Sequence, residues 1–383
     1  LRKAAAFVDW TYSEEQEELR RTVRRFLQEK QPMQVVRQVM EAEPGHDRAV
    51  WRQLADQLGL QALGIPEEYG GAGFGQVEIA MVLGELGRGL YPGPYLASAV
   101  LAANALVHCG DEVAKKDLLP GIASGETTGT LAWVEDGGDW DVQASTTQAT
   151  RDGEGYTLTG RKSFVIDGHA ASLILVAART AAGLSLFATE GDAPGLSRTQ
   201  LTTVDPTRRL ARLDFAGTPA RLVGAEGTAE PGLVTALRLA AVALAAEQIG
   251  GAQACLEMSV AYAKERVQFG RPIGSFQAVK HKLADMHMEI ELAKSAVLHA
   301  AWVAGHEPGE LPAAASLAKA YASEAYWHAA VETIQTHGGI GFTWEHDAHL
   351  YFKRAKTSQV LLGNPAYHRE LLARAIGLGG GTA

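Results

Sequence analysis

Four long stretches of this chain contain little that would stop a helix, and they dictate the architecture of its second half. No proline interrupts 232–271, and neither proline nor glycine interrupts 275–304, 313–337 or 345–362. In a helix interior proline costs about 3 kcal/mol and glycine about 1 kcal/mol relative to alanine. Runs that avoid them predict four long helices, which pack as an antiparallel bundle.

The opening third also reads as helical. Ser13-Glu14-Glu15-Gln16 is a capping-box pattern that starts a charged helix running to about Lys30. Apolar residues then recur at helical spacing through WRQLADQLGL, EIAMVLGELGRGL and YLASAVLAANALV, with glycine and proline breaks between them. From Thr127 the texture changes to threonine, valine and glycine, as in GTLAWV, GYTLTGRKSFVI, SLILVAA and RRLARLDF. Asp152-Gly153-Glu154-Gly155, between TTQAT and YTLTG, is a hairpin turn. The expected fold is therefore α+β and multidomain: a helical domain over 1–125, a β-sheet domain over 126–227 and a four-helix bundle over 228–383. The closing GLGGGTA reads as a flexible tail.

With 383 residues, 46% of them hydrophobic, the chain can build two or three packed units. A formal charge of -9 supplies no basic field for nucleic acid or anionic membrane. Cys109 and Cys255 are too few for a disulfide framework, which points to a reducing cytoplasm. LRKAAAFVDW at the start has no apolar run of signal-peptide length, and no segment reaches the about 18 uninterrupted apolar residues of a membrane span. There is no internal repeat, GxSxG elbow, P-loop or Cys-x-x-Cys pair, and EYGGAGFG at 68–75 reads as a tight interhelical loop. His346 and His349 lie three apart without an evident third ligand, so no metal site is expected.

Two helix exits carry residues suited to binding. In ERVQFGRPIGSFQAVKHKLADM, Gly270 and Pro272 end one helix, and Arg266, Phe269 and Gln277 make a cradle of guanidinium, ring and amide. In QTHGGIGF, Gly338 and Gly339 let backbone N–H groups approach an anion, with Gln335 donating alongside.

Those two motifs, together with PEEYGGAGFG, DGEGYTLTGRKSFVIDG and the order helical, β, helical, resemble the acyl-CoA dehydrogenase family of flavoproteins along nearly the whole chain. The resemblance implies bound FAD, an acyl-CoA substrate, electron-transfer flavoprotein or a similar electron acceptor, and a homo- or hetero-tetramer in which neighbouring subunits share each cofactor. It also implies that Arg266 and Gln268 contact the pyrophosphate, that Phe269, Ile273 and Gln277 contact the ADP portion, and that Gln335, Gly338 and Gly339 hold the adenosine-pyrophosphate end. Phe164 stands where an aromatic ring faces the flavin.

Several positions depart from the family pattern. VEDGGDWD at 134–141 keeps Glu135 and Asp141 but has Val134 and Trp140 in place of hydroxyl residues, and Ile166 replaces a threonine at the flavin edge. Leu362 occupies the position from which many relatives present their catalytic glutamate, followed by Asn364, Pro365 and Ala366 in place of Thr-Ser-Gln. Some relatives supply the base from the first bundle helix, near Ala240 here.

Glu247 is the lone carboxylate in LAAVALAAEQIGGAQACL, seven residues beyond Ala240, within about 20° of the same face and about 10 Å along the axis. Positions three and four away hold Ala243, Leu244, Gly250 and Gly251, so no helix neighbour pairs with it, and the two glycines suggest an open gap beside it. The A-A-E-x-x-G-G-A pattern resembles an actinobacterial branch that includes steroid side-chain enzymes, and Glu247 is the expected base for the α-proton. Two alternatives stay open: a non-catalytic subunit that completes a partner's site, and a flavin oxidase or monooxygenase on the same fold.

Overall fold

A computed structural model describes residues 12–378; LRKAAAFVDW and the last five residues of GLGGGTA lie outside them. The helical first third comprises α1 (Glu14–Lys30), α2 (Met33–Val39), α3 (Arg48–Asp56), α4 (Gln76–Arg88), a π-helical turn (Leu96–Ala102) running into α5 (Ala103–Cys109), and α6 (Glu112–Ala123). Ser13 and Gln16 cap α1 reciprocally, as their spacing predicts.

The middle of the chain forms seven strands, β1 (Gly129–Ala132), β2 (Gln148–Asp152), β3 (Gly155–Ile166), β4 (Leu173–Thr180), β5 (Gly183–Glu190), β6 (Leu196–Gln200) and β7 (Leu210–Val223). Asp152 pairs with Gly155 across the expected hairpin. Strand pairing closes into a ring, β4–β2–β3–β7–β5 and back to β4. On β4, Ile174, Val176 and Ala178 fill the interior of that ring, while Leu173, Leu175 and Ala177 face the helices. The period-2 geometry of a strand thus serves two cores at once.

The last third is built on α7 (Glu230–Glu265), 36 residues and roughly 54 Å long. α8 (Gln277–His306), α9 (Leu311–His337) and α10 (Ala348–Val360) pack with it, as the four uninterrupted stretches predict. A fifth helix, α11 (Pro365–Ala375), follows, with proline in its first turn and Asn364 Oδ1 accepting from the Tyr367 N–H at 2.9 Å. By length and composition α7 would cross a membrane, but 72% of its most apolar window is buried inside this protein. Its companion across the first domain is α4. A Cβ at Gly250 would stand 1.7 Å from the Gly84 carbonyl oxygen, and one at Gly87 would stand 2.0 Å from the Glu247 carbonyl oxygen. Glycine is therefore required for these two backbones to touch.

Candidate active site

The β domain and the bundle meet at a cleft of about 560 Å³, lined among others by Trp133, Trp140, Arg238, Ala241, Leu362 and His368. Its β-domain wall follows β1, where the Trp133 and Trp140 rings lie 5.9 Å apart. Glu135 anchors that wall, accepting from Lys162 Nζ at 2.9 Å and from the Thr146 and Thr147 N–H groups at 2.8 Å. Burial opposes its charge, but the bonds from Thr146 and Lys162 win and hold it at about 2. Asp141 caps the following turn through the Gln143 N–H. Beside this wall, β3 shifts register between Lys162 and Val165, and Phe164 adopts φ 57 there. A bulge with a left-handed aromatic residue re-aims a side chain at some cost in strain, as at many functional sites.

The bundle wall ends in the turn after α10. Leu362 has φ 60 and is 5% exposed. Buried Lys319 fastens that turn, donating to the Ser358 and Gly363 carbonyls at 3.0 and 3.1 Å and to Ser323 Oγ at 3.0 Å. Burial pulls the Lys319 amine down to about 7. His368 Nε2 lies 2.9 Å from the Leu362 carbonyl, which only accepts, so this nitrogen carries the hydrogen. Burial and then Lys319 push the imidazole down to about 4, leaving it neutral near pH 7.

Glu247 lies elsewhere. It is 5% exposed, and both its oxygens accept from Arg208, at 2.6 and 2.5 Å, while Oε1 also accepts from Arg354 at 3.0 Å. Arg354 in turn donates to Asp205 at 2.7 Å and to the Thr207 carbonyl and hydroxyl. Burial would raise the Glu247 pKa, but Arg208 and Arg354 outweigh it and hold the carboxyl below its ordinary value. The absence of a cation at helical spacing thus did not leave it unpaired: its partners stand 39 and 107 residues away in sequence. Nor do the glycines leave a gap. Gly250 is covered by the α4 backbone and Gly251 by the Tyr326 ring. The cavity beside Glu247 holds about 10 Å³, among Tyr91, Tyr95, Asp167 and Arg208, which is about the room of one water.

The two helix exits lie on a different surface. After α7, Val267–Gln268 and Arg271–Pro272 form a two-stranded hairpin where sequence patterning extends the helix to 271. Phe269 (φ 53) and Gly270 (φ 77) make its tip, the type I′ geometry that suits glycine but strains phenylalanine. The Phe269 ring is 93% exposed. Gln268, Phe269, Ile273 and Gln335 converge on an open concavity of about 380 Å³ with Phe276. Arg266, Gln277, Gly338 and Gly339 are exposed nearby in sequence but do not line it. Gly338 takes φ 61, ψ -139, a conformation essentially confined to glycine. The structure therefore brings together four of the expected binding residues, and it keeps Phe164 and Glu247 in separate surroundings.

Sequence reasoning missed Arg208 and Arg354, which carried no local signal. It also missed Arg238, although a lone charge in TALRLAAVAL is the same kind of anomaly as Glu247.

Models of the acyl-CoA dehydrogenase N-terminal, middle and C-terminal domains match residues 13–126, 130–216 and 233–377. The chain belongs to the acyl-CoA dehydrogenase family. It is 39% identical over 364 residues to acyl-CoA dehydrogenase IpdE2 of Mycobacterium tuberculosis, covering 95% of this chain and 97% of that protein. Its fold matches a chain of the Tcur3481-Tcur3483 steroid acyl-CoA dehydrogenase with TM-score 0.87 and 34% identity, over 96% and 99% of the two chains. It also matches a chain of the ChsE4-ChsE5 complex of Mycobacterium tuberculosis with TM-score 0.88 and 32% identity, over 98% and 100%. These relatives bear out the resemblance to the actinobacterial branch. As an acyl-CoA dehydrogenase the protein is an oxidoreductase of a flavoprotein family, and FAD is the cofactor that the family implies. The residues present fit the adenine end of that cofactor, where an apolar ring is held in solvent on a strained turn. The 560 Å³ cleft has room for a flat ring system, Phe164 is not among the residues that line it, and Val134 and Ile166 carry no side-chain hydroxyl.

Proposed function

We propose that this chain takes part in FAD-dependent α,β-dehydrogenation of an acyl-CoA thioester as one half of a two-chain assembly, with the base for the α-proton supplied by the other chain. The observation that carries this reading is the state of Glu247. A base needs a free lone pair and room for the carbon it deprotonates. Glu247 is clamped by two guanidiniums, its basicity is lowered, and about 10 Å³ beside it excludes an acyl chain. Leu362 leaves no carboxylate at the family's other position. Glu247 then acts as a structural tie between α7, α10 and the segment before β7.

When bound, FAD supplies the acceptor for the hydride that leaves Cβ. This chain's part is to hold its adenine end: Arg266 and Gln268 toward the pyrophosphate, Phe269, Ile273 and Gln277 around the ADP portion, Gln335, Gly338 and Gly339 at the adenosine-pyrophosphate end, and Phe164 toward a flavin. The exposed Phe269 and the concavity beside it support that role. Likeness to a steroid acyl-CoA dehydrogenase and to a two-chain complex supports a steroid-type thioester and a hetero-tetramer. Family membership supports electron-transfer flavoprotein or a similar acceptor.

The test is to purify the chain alone and with its partner, add FAD, and follow dye reduction by acyl-CoA. Activity is expected only from the pair; one FAD per chain and full activity from this chain alone would refute the division of labour. In the pair, Arg266→Ala is expected to lose FAD more readily than Arg271→Ala, whose guanidinium is instead occupied over the Phe276 ring at 4.1 Å. Equal retention would remove Arg266 from the cofactor site.

A further inference from the structure

Among the described residues two lysines are entirely buried, and they are held differently. Lys162, on the β-domain wall, pairs with Glu135 at 2.9 Å. Lys319, on α9, has no carboxylate partner among the described residues. Its three N–H groups go to neutral oxygens: Ser323 Oγ at 3.0 Å, the Ser358 carbonyl at 3.0 Å and the Gly363 carbonyl at 3.1 Å, with the Gln359 carbonyl at 3.4 Å as a longer fourth acceptor. A buried cation is costly unless strong hydrogen bonds offset its lost hydration. Three of these four acceptors belong to one short piece of chain, the C-terminal end of α10 and the turn after it, where a helix leaves carbonyls without partners and favours a cation. That turn is strained, since Leu362 takes φ 60 and Gly363 φ 101, and contacts around it must hold it. Leu362 lines the 560 Å³ cleft, so the turn sets one of its walls.

The charged and titratable groups around Lys319 come from four elements. Arg208, before β7, donates to Ser358 Oγ at 3.2 Å; Glu247 on α7 and Arg354 on α10 are bonded to each other; His368 on α11 holds the Leu362 carbonyl. Glu247, held low, and Arg354, held high, keep their charges through neutral pH, and His368 stays neutral down to about 4. Lys319 is the member that changes charge there, pulled down to about 7 by burial and then by Arg208. Asp167 also titrates near 7, but it lines the small cavity beside Glu247, to which Lys319 does not contribute. Of the four acceptors only Ser323 can also donate, so its hydroxyl serves the lone pair of a neutral amine while the two remaining N–H groups keep Ser358 and Gly363. No acceptor is stranded, but charge-assisted bonds are roughly twice as strong as neutral ones.

We propose that Lys319 is a positioning residue for this wall: its ammonium holds the 361–363 turn, and Leu362 with it, against the cleft, and the hold slackens when the ammonium becomes an amine. That the wall bears on the cofactor rests on the flavin lying in this cleft. The direction of the effect separates this role from general support. Because burial favours the neutral amine, the contribution of Lys319 to global stability grows as pH rises from about 7, whereas its hold on the turn falls.

Hydrogen exchange in the assembled protein reads the hold directly. From about pH 6 to about pH 8.5, protection of the Leu361 and Gly363 N–H groups, corrected for the base-catalysed intrinsic rate, should fall about tenfold with a midpoint near 7, while α4 and α7 keep theirs. Lys319→Gln, which keeps a neutral donor, should give a flat profile, and Asp167→Asn should keep the step. The step in the parent needs no variant, so a glutamine form that fails to fold leaves the test intact. FAD retention over the same range should weaken in parallel. A step in protection without a change in FAD retention would keep the hold of Lys319 on the turn and move the flavin out of the cleft. Protection that is unchanged across this range, a step that survives in Lys319→Gln, or one that vanishes in Asp167→Asn would overturn the proposal.

Discussion

One helix, α7, carries two isolated charges, and the protein treats them in opposite ways. Arg238 lines a 560 Å³ cleft and has no hydrogen-bond or ion-pair partner among the described residues. Glu247, roughly two and a half helical turns later and so on the opposite face, is enclosed by Arg208 and Arg354 beside a cavity of about 10 Å³. In sequence the two look alike, each a charge among alanines and leucines. What separates them is whether distant segments bring a counter-charge. Open space therefore lies beside the unpaired group, and a buried charge on an apolar helix is as easily a structural tie.

The sharpest way to break this contrast is to remove a clamp. Arg354→Ala leaves Asp205 and Glu247 short of a counter-charge in a site where Arg354 is 1% exposed, and it should destabilise the protein by about 3–5 kcal/mol. Thermal or urea unfolding reads this, and a change below about 0.5 kcal/mol, the usual range for surface positions, would mean the network is not a tie. Next in size is Gly250→Ala. Its Cβ would lie 1.7 Å from a backbone oxygen of α4 that no rotamer change can move, so about 3 kcal/mol is expected, the upper end of overpacking. Native stability in that variant would show that α4 and α7 are not held in backbone contact at Gly84.

The edge of the network gives a pH test. Asp167 lines the same small cavity as Glu247, and burial, only partly countered by Arg208 and Arg354, raises its pKa to about 7. A carboxyl raised in the folded state contributes stability that is present in acid and lost as pH rises through about 7. Asp167→Asn mimics the protonated form, so it should match the parent near pH 4 and exceed it at pH 8, by an amount on the order of 4 kcal/mol. Equal stability of the two proteins at both pH values would place the charged form in a better-solvated site. Glu247 behaves in the opposite sense: its lowered pKa makes its contribution present at neutral pH and lost only as pH falls below the ordinary carboxylate range.

What could be read from sequence was what depends on near neighbours. The capping box at Ser13–Gln16, the turn at Gly153–Glu154 and the four uninterrupted helices are local, and each appears where its residues place it. The exit of α7 was misjudged because no proline stands before 272, yet Phe269-Gly270 turns the chain through a hairpin tip that periodicity does not register. At the site, Gln268, Phe269, Ile273 and Gln335 converge, since their motifs span single helix exits. The partners of Glu247 were invisible because Arg208 reaches it from the β domain and Arg354 from another helix of the bundle 107 residues on, and the glycines beside it serve helix contact with α4 and Tyr326. Arg238 was legible as an anomaly, but its unpaired state depends on the walls of the cleft.

The most direct measurement is flavin reduction by acyl-CoA in the assembled protein carrying Glu247→Gln, expressed per bound FAD and set beside the variant's thermal stability. If Glu247 is a tie, stability falls while the rate per flavin stays within about threefold of the parent, because no proton transfer passes through it. A variant that keeps its fold and FAD but reduces the flavin about 100-fold more slowly would contradict the account and restore Glu247 as the base.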